Sequence, residues 1–255
     1  MSQRSLKIIL TISLIGNLFA AYAAVKALEY RRHINDFLYK YTYVVEEFSG
    51  RKNFALANRQ LIEKGANERR VVFLGTQVTV GWDLERYFPD IDAVNRGISG
   101  QRMAGFLLRF RPDVVELAPR AVVIEFSSYS FRPENSIEEL QDYLATLTEI
   151  ALFHKIEPIL TTVIPVGHDF EMAENDDYMI MDSITVFNRW LSNYCQDNKI
   201  RLLDFGREVA DSSGYLSDRY RAGQIILNDS GYARISELAG NALREIVNYA
   251  DRSGI

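Results

Sequence analysis

The chain has 255 residues, enough for one large domain or a moderate domain with an appendage. Hydrophobic residues make up 47% and charged residues 25%, values that exclude a disordered or fibrous protein. A formal net charge of −5 offers no general basic field for nucleic acid, and the single cysteine, Cys195, excludes an internal disulfide framework or a cysteine-cluster metal site.

No charged residue occurs from Ile8 to Val25, and Arg4 and Lys7 precede this run. Eighteen helical residues reach roughly 27 Å, the thickness of a bilayer's hydrocarbon core. An uncleaved signal anchor, a cleaved signal with Ala21-Tyr22-Ala23 as the peptidase site, and a buried core helix all fit the run. The anchor fits best, because the sequence stays helical past Lys26 instead of entering a loop. Lys26, Arg31, Arg32 and Lys40 outnumber Arg4 and Lys7, so a bare positive-inside count puts the C-terminal part in the cytoplasm. A short N-terminal anchor of this form points the other way. The expectation taken is one pass through the cell inner membrane with the globular part periplasmic or extracytoplasmic.

Beyond the anchor, Tyr30, Ile34, Phe37, Leu38, Tyr41, Val44, Val45 and Phe48 recur at three- and four-residue steps, an apolar stripe on a helix. The stripe either packs on the protein's own domain or forms a stalk that docks a membrane protein partner. Gly50 ends this helix, and a shorter one is predicted from Phe54 to Glu63. The predicted organisation is therefore anchor 1–28, helical stalk or linker 29–69, and globular domain 70–255.

Within that domain short apolar runs alternate with amphipathic helices. Strands are predicted at Val71–Gly75, Asp92–Gly97, Ala121–Phe126, Glu157–Ile164 and Arg201–Phe205. Helices are predicted at Met103–Phe110, from the capping box Ser136–Glu139 to about Lys155, at Tyr178–Asn198, and from a capping Asp229 to about Tyr249. This alternation predicts a parallel sheet covered on both faces, with any site beyond the carboxyl ends of the strands. Those ends are Gly75–Thr79, Gly97–Gln101, Ser127–Phe131 and Val166–Asp169, joined by the turn before the last helix.

At these ends the chain resembles the SGNH/GDSL hydrolases, serine esterases and lipases built on a three-layer α/β/α sandwich with a five-stranded parallel flavodoxin-like sheet. The resemblance spans Arg70 to Tyr249 and rests on four blocks: Gly75-Thr76-Gln77-Val78-Thr79, Asn95-Arg96-Gly97-Ile98-Ser99-Gly100, Ser127-Ser128-Tyr129-Ser130, and Gly223 to Tyr232. It implies a serine nucleophile where Gln77 stands, an oxyanion-hole glycine at Gly100, an oxyanion-hole asparagine where Tyr129 stands, and the Asp and His of a triad where Gly223 and Ile226 stand. A carboxamide is no useful nucleophile, and an aliphatic side chain accepts no proton. Together these substitutions imply a pseudoenzyme. It requires no cofactor and serves as an interaction or assembly subunit of a bacterial membrane or envelope complex. The alternatives are an ester hydrolase or acyl-transfer enzyme acting on polysaccharide or lipid with unorthodox residues, and a glycan- or lipid-binding protein using the old cleft.

Ser127, Ser128 and Ser130 offer hydroxyls for a displaced nucleophile, although capping a turn is their ordinary use. His168 is the candidate for a migrated base. Trp82, Tyr129 and Phe131 are candidates for stacking on a ligand, with packing as the plain alternative. His154 is read as a helix C-terminal residue, His33 as part of the stalk and Cys195 as core. No metal site is expected. The acidic run Asp169, Glu171, Glu174, Asp176 and Asp177 reads as a hydrated loop, with oxygen ligation of a divalent cation as the sharper alternative.

Overall fold

The structure, a computed structural model, describes residues 3–47, 49–131, 135–170 and 180–253. The chain divides into two compact units, Met1–Phe48 and Ser49–Ile255. The first is one 45-residue helix, α1 (Gln3–Glu47). By length and composition its segment Gln3–Tyr41 is a candidate membrane span. The stripe residues Tyr30, Ile34, Phe37, Leu38 and Tyr41 are exposed, and Phe37 stacks on Tyr41 one turn away. The side chains of Val44, Val45 and Phe48 lie outside the described part.

In the second unit follow α2 (Ala55–Glu63), β1 (Arg70–Gly75), α3 (Gln77–Val80), α4 (Leu84–Tyr87), β2 (Asp92–Gly97), α5 (Met103–Asp113) and β3 (Ala121–Ile124). They continue as α6 (Ile137–Phe153), β4 (Glu157–Thr161), α7 (Ile180–Asn198), β5 (Arg201–Leu203), α8 (Phe205–Val209) and α9 (Asp229–Ser253). All strand pairs are parallel, in the order β2-β1-β3-β4-β5. This is the five-stranded flavodoxin-like sheet expected from the sequence, with its switch point between β1 and β3.

The period of two along each strand sorts the core into two halves. Val72, Leu74, Val122, Ile124 and Leu160 face one cluster, built with α5, α6 and α7. Val71, Phe73, Ala121, Val123 and Ile159 face the other, built with α3, α4, α8 and α9. Strands buried on both faces read as continuous apolar runs, which is why they are visible in the sequence.

Several boundaries differ from expectation, each for a local reason. β4 ends at Thr161, four residues before Pro165. β5 ends at Leu203 because Asp204 turns the chain into α8, accepting from the backbone N–H of Arg207 at 3.3 Å and from the Thr162 hydroxyl at 2.9 Å. The cap of α9 is made by Asn228, whose Oδ1 accepts from the Gly231 N–H at 3.0 Å, rather than by Asp229. Residues 49–69, expected in the stalk, belong to the second unit.

A buried polar network holds them there. Asn58 Nδ2 donates to Asp113 Oδ1 at 2.6 Å, and Arg96 Nε donates to Asn58 Oδ1 at 2.9 Å. Arg109, fully buried, pairs with Asp113 Oδ2 at 2.9 Å and donates to Gln101 Oε1 at 2.7 Å, while Gln101 Nε2 donates to the Ser49 carbonyl at 2.9 Å. The Phe54 ring lies under the guanidinium of Arg96, 4.8 Å from its centroid. Gly50 sits at a left-handed φ of 60° with Ile98 so close that any side chain there would collide.

Candidate active-site remnant

The site is assembled where β1, β2 and β3 end. Gly75 and Gly97 are register partners on β1 and β2, and both permit close approach. A Cβ on Gly97 would lie 2.6 Å from the Val80 N, so β2 passes directly against α3. A Cβ on Gly75 would collide with the Thr79 hydroxyl and the Glu125 carboxylate. That carboxylate supports the turn from below. Glu125 accepts from the Thr76 N–H at 2.8 Å, the Thr76 hydroxyl at 2.9 Å and the Thr79 hydroxyl at 2.9 Å. Burial pushes its carboxyl above the usual carboxylate range, and the donors from Thr76 and Thr79 act in the opposite direction.

Gln77 opens α3 at the expected nucleophile position. Its Nε2 donates to the Ser127 hydroxyl oxygen at 2.6 Å, while its buried Oε1 has no hydrogen-bond partner. Ser127 Oγ also accepts from the Tyr129 N–H at 3.2 Å, capping the single 3-10 turn Ser128–Ser130. The hydroxyl expected as a displaced nucleophile is thus an acceptor fixed by two donors. Ser128 and Ser130 are buried beside it. Tyr129 is half-buried with its ring edge-on to Phe170 at 6.2 Å. Phe131 packs between Phe126 and Phe187 in the core.

Gly100 lies on the loop after β2 with φ 71°, and a side chain there would meet nothing within 4 Å. The left-handed backbone explains glycine at this position, and the space above it is open. Gly223 and Ile226 face each other across a tight hairpin closed by the Ala222 N–H on the Ile226 carbonyl at 2.8 Å. Ile226 is half exposed. The hairpin meets the loop after β4, where the Gly167 N–H donates to the Gln224 carbonyl at 2.8 Å. The structure therefore joins Gln77 to Ser127 and Gly223 to Ile226, and Ile226 is the position at which the resemblance implies a histidine.

The other candidates are placed elsewhere. His168 stacks on Tyr215 at 3.8 Å and lies 3.5 Å from Asp211 Oδ2, with its side chain more than half exposed. Trp82 corrects its ligand-stacking expectation: it is 3% exposed, packed against Phe73, Phe88, Phe205 and Tyr232, with its indole N–H on the Ser236 hydroxyl at 2.7 Å. A ring enclosed on all sides has no face for a ligand. Cys195 is buried in α7 and burial pushes its thiol up to about 11, so it supplies no thiolate. Of the acidic run, Glu171, Glu174, Asp176 and Asp177 lie outside the described residues, and Asp169 pairs with Arg221. Glu125 was missed, although a lone carboxylate inside the apolar run Val122–Phe126 is a sequence signal for a buried, bonded acid.

Residues 68–234 match the GDSL-like lipase/acylhydrolase family. No curated protein matches the chain. Among solved structures, a GDSL-like lipase of Bacteroides thetaiotaomicron is 29% identical with a TM-score of 0.69, covering 78% of this chain and 99% of its own. A Bacteroides fragilis protein is 27% identical with a TM-score of 0.70, covering 78% and 98%. A lipase/acylhydrolase from Enterococcus faecalis, 16% identical with a TM-score of 0.54 over 71% of this chain and 96% of its own, shares the fold.

Proposed function

The chain belongs to the GDSL-like lipase/acylhydrolase family, and on that premise we propose that it is a catalytically silent member, held in the membrane by residues 1–28 and serving as an interaction or assembly subunit of a membrane or envelope complex. The observation that carries this reading is the pair of inert positions: the Gln77 carboxamide fastened to Ser127, and Ile226 where the proton relay belongs. Ester hydrolysis needs an activated nucleophile and a titrating base in reach of it. Here the nucleophile position carries an amide, and the His168 ring is paired with Asp211 and Tyr215. A backbone donor near Gly100 is a partial oxyanion hole, which without a triad accelerates by only about 10³–10⁴ over water.

The test is hydrolysis of p-nitrophenyl acetate and labelling by a fluorophosphonate, using pure protein. Expected are background hydrolysis and no label. Labelling that disappears in Ser127→Ala or Ser128→Ala would overturn the silent reading and establish an enzyme with unorthodox residues. The assembly role predicts companion proteins after mild detergent extraction, and recovery of this chain with no other protein counts against it. Resistance to alkaline carbonate checks the anchor. Protease access in spheroplasts, not in intact cells, checks the periplasmic placement.

A second reading is favoured by one observation. The buried Gln77 Oε1 is an acceptor in want of a donor. Such an acceptor suits a hydroxyl-rich ligand, a glycan or a lipid headgroup, bound without turnover. Gln77→Leu should then abolish binding of that ligand and leave the melting temperature nearly unchanged.

A further inference from the structure

The geometry points to a second copy of this chain as the partner of α1, the two helices pairing in parallel from within the membrane into the stalk. The inference rests on the anchored reading above and names the partner of that stalk. Tyr30, Ile34, Phe37 and Tyr41 follow one another at steps of four, three and four residues, and all four are more than half exposed. The same alternation runs backward without a break through Ala27, Ala23, Ala20 and Gly16 inside the uncharged segment. Its period is 3.5 residues, not 3.6, and only a helix wound left-handedly around a partner keeps such a seam on one side. Arg32, Asn35 and Asp36 lie on the opposite face, which marks that side as the solvated one.

The change of residue size along the seam matches the change of solvent. Within lipid, apolar area gives no drive to associate, and small residues let backbones come close. In water, large apolar residues supply the drive. At roughly 150–250 Å² per buried aromatic, Tyr30, Phe37 and Tyr41 from two copies bring about 900–1,500 Å² to the contact, and Ile34 adds to it. Stable interfaces bury about 1,200–2,000 Å², so the stalk seam alone is of sufficient size.

Asn17 adds a polar group at the margin of the seam. It stands beside Gly16 in the middle of the uncharged run, where its exposed carboxamide would face hydrocarbon. A polar group there needs a bonded partner. A carboxamide both donates and accepts, so beside the seam it can bond polar backbone groups of the neighbouring helix. Membrane insertion gives both copies the same direction, which places each seam residue opposite its equivalent.

The test introduces single cysteines into the full chain and oxidises native membranes. Cys195 stays in place because it is buried. Tyr30→Cys, Ile34→Cys and Phe37→Cys should form a disulfide-linked species of twice the 29.2 kDa chain mass. Arg32→Cys, Asp36→Cys and Tyr39→Cys should not. Asn17→Leu should weaken the association about threefold or more, and Asn17→Gln should retain most of it. Equal cross-linking on both faces, or none, overturns the pairing, and seam cysteines captured by a protein of another mass overturn it in favour of a different subunit. Release of the chain by alkaline carbonate overturns the anchor itself, whereas a chain that stays membrane-bound without seam cross-links overturns the dimer alone.

Discussion

Two layers of the same strand end invite comparison. In the upper layer lie Gln77, Ser127, Tyr129, Gly223 and Ile226, the positions the sequence singles out as a candidate site, and Gln77 keeps one buried acceptor unbonded. In the lower layer Glu125 is met by donors from Thr76 and Thr79, and Asp113 is shared by Arg109 and Asn58. One guanidinium nitrogen of Arg96 lacks a bond, and burial, opposed by Asp113 and aided by Arg109 and Arg70, draws Arg96 down to about 10. The lower layer holds the loops in place whether or not residue 77 can attack anything. Scaffold and chemistry are therefore separable in this fold, and the two layers should respond to mutation on different scales.

The sharpest way to break the contrast is Asp113→Ala. It strands the buried Arg109 charge and removes the acceptor of Asn58, at a cost of about 3–5 kcal/mol. The melting temperature should fall by about 10 °C or more, and a shift of a degree or two would deny the lower layer its structural role. Trp82→Ala follows, at about 3–5 kcal/mol for an enclosed aromatic, as read by urea unfolding. If it leaves stability intact, Trp82 belongs to the cleft after all.

Glu125→Gln probes the support of the turn through pH. Because burial raises the folded-state pKa of Glu125 above its unfolded value, its contribution to stability is complete on the acid side and is lost as pH rises through the raised value. Wild type should therefore lose stability across that window, whereas the variant, differing by about 1 kcal/mol at pH 5, should lose less. Parallel curves would mean that the carboxyl stays unprotonated. The smallest effect belongs to the upper layer. Gly223→Ala places its methyl 3.8 Å from the Ile226 Cβ, an ordinary contact at a backbone angle open to any residue. Stability should change by less than about 0.5 kcal/mol, and a larger loss would show that the hairpin is under the constraint proposed only for the layer beneath.

The sheet was legible because its strands are buried on both sides and so read as unbroken apolar runs, as in Val71–Leu74 and Ala121–Ile124. The site blocks were legible because glycines at Gly75, Gly97 and Gly100 mark close approach or left-handed backbone. What stayed hidden depends on partners distant in sequence. Trp82 looked like a cleft residue from its place after the first block, yet its indole N–H is matched by Ser236, 154 positions away. Residues 49–69 looked like stalk because nothing local reveals that Asn58 is bonded to Asp113 or that Ser49 is bonded to Gln101. Periodicity reports how deep a side chain lies and is silent on what it touches.

The tie between Ser49 and Gln101 and the clasp of Asn58 on Asp113 set where the polypeptide tolerates scission. A protease cutting ahead of Ser49 would leave a complete α/β body with its guanidinium cluster still covered. A cut after Asn58 would release one whose Arg96 and Arg109 had lost the Phe54 ring and whose Asp113 had lost a donor. Residues 49–69 are thus part of the second unit, bound by a network that lies within it.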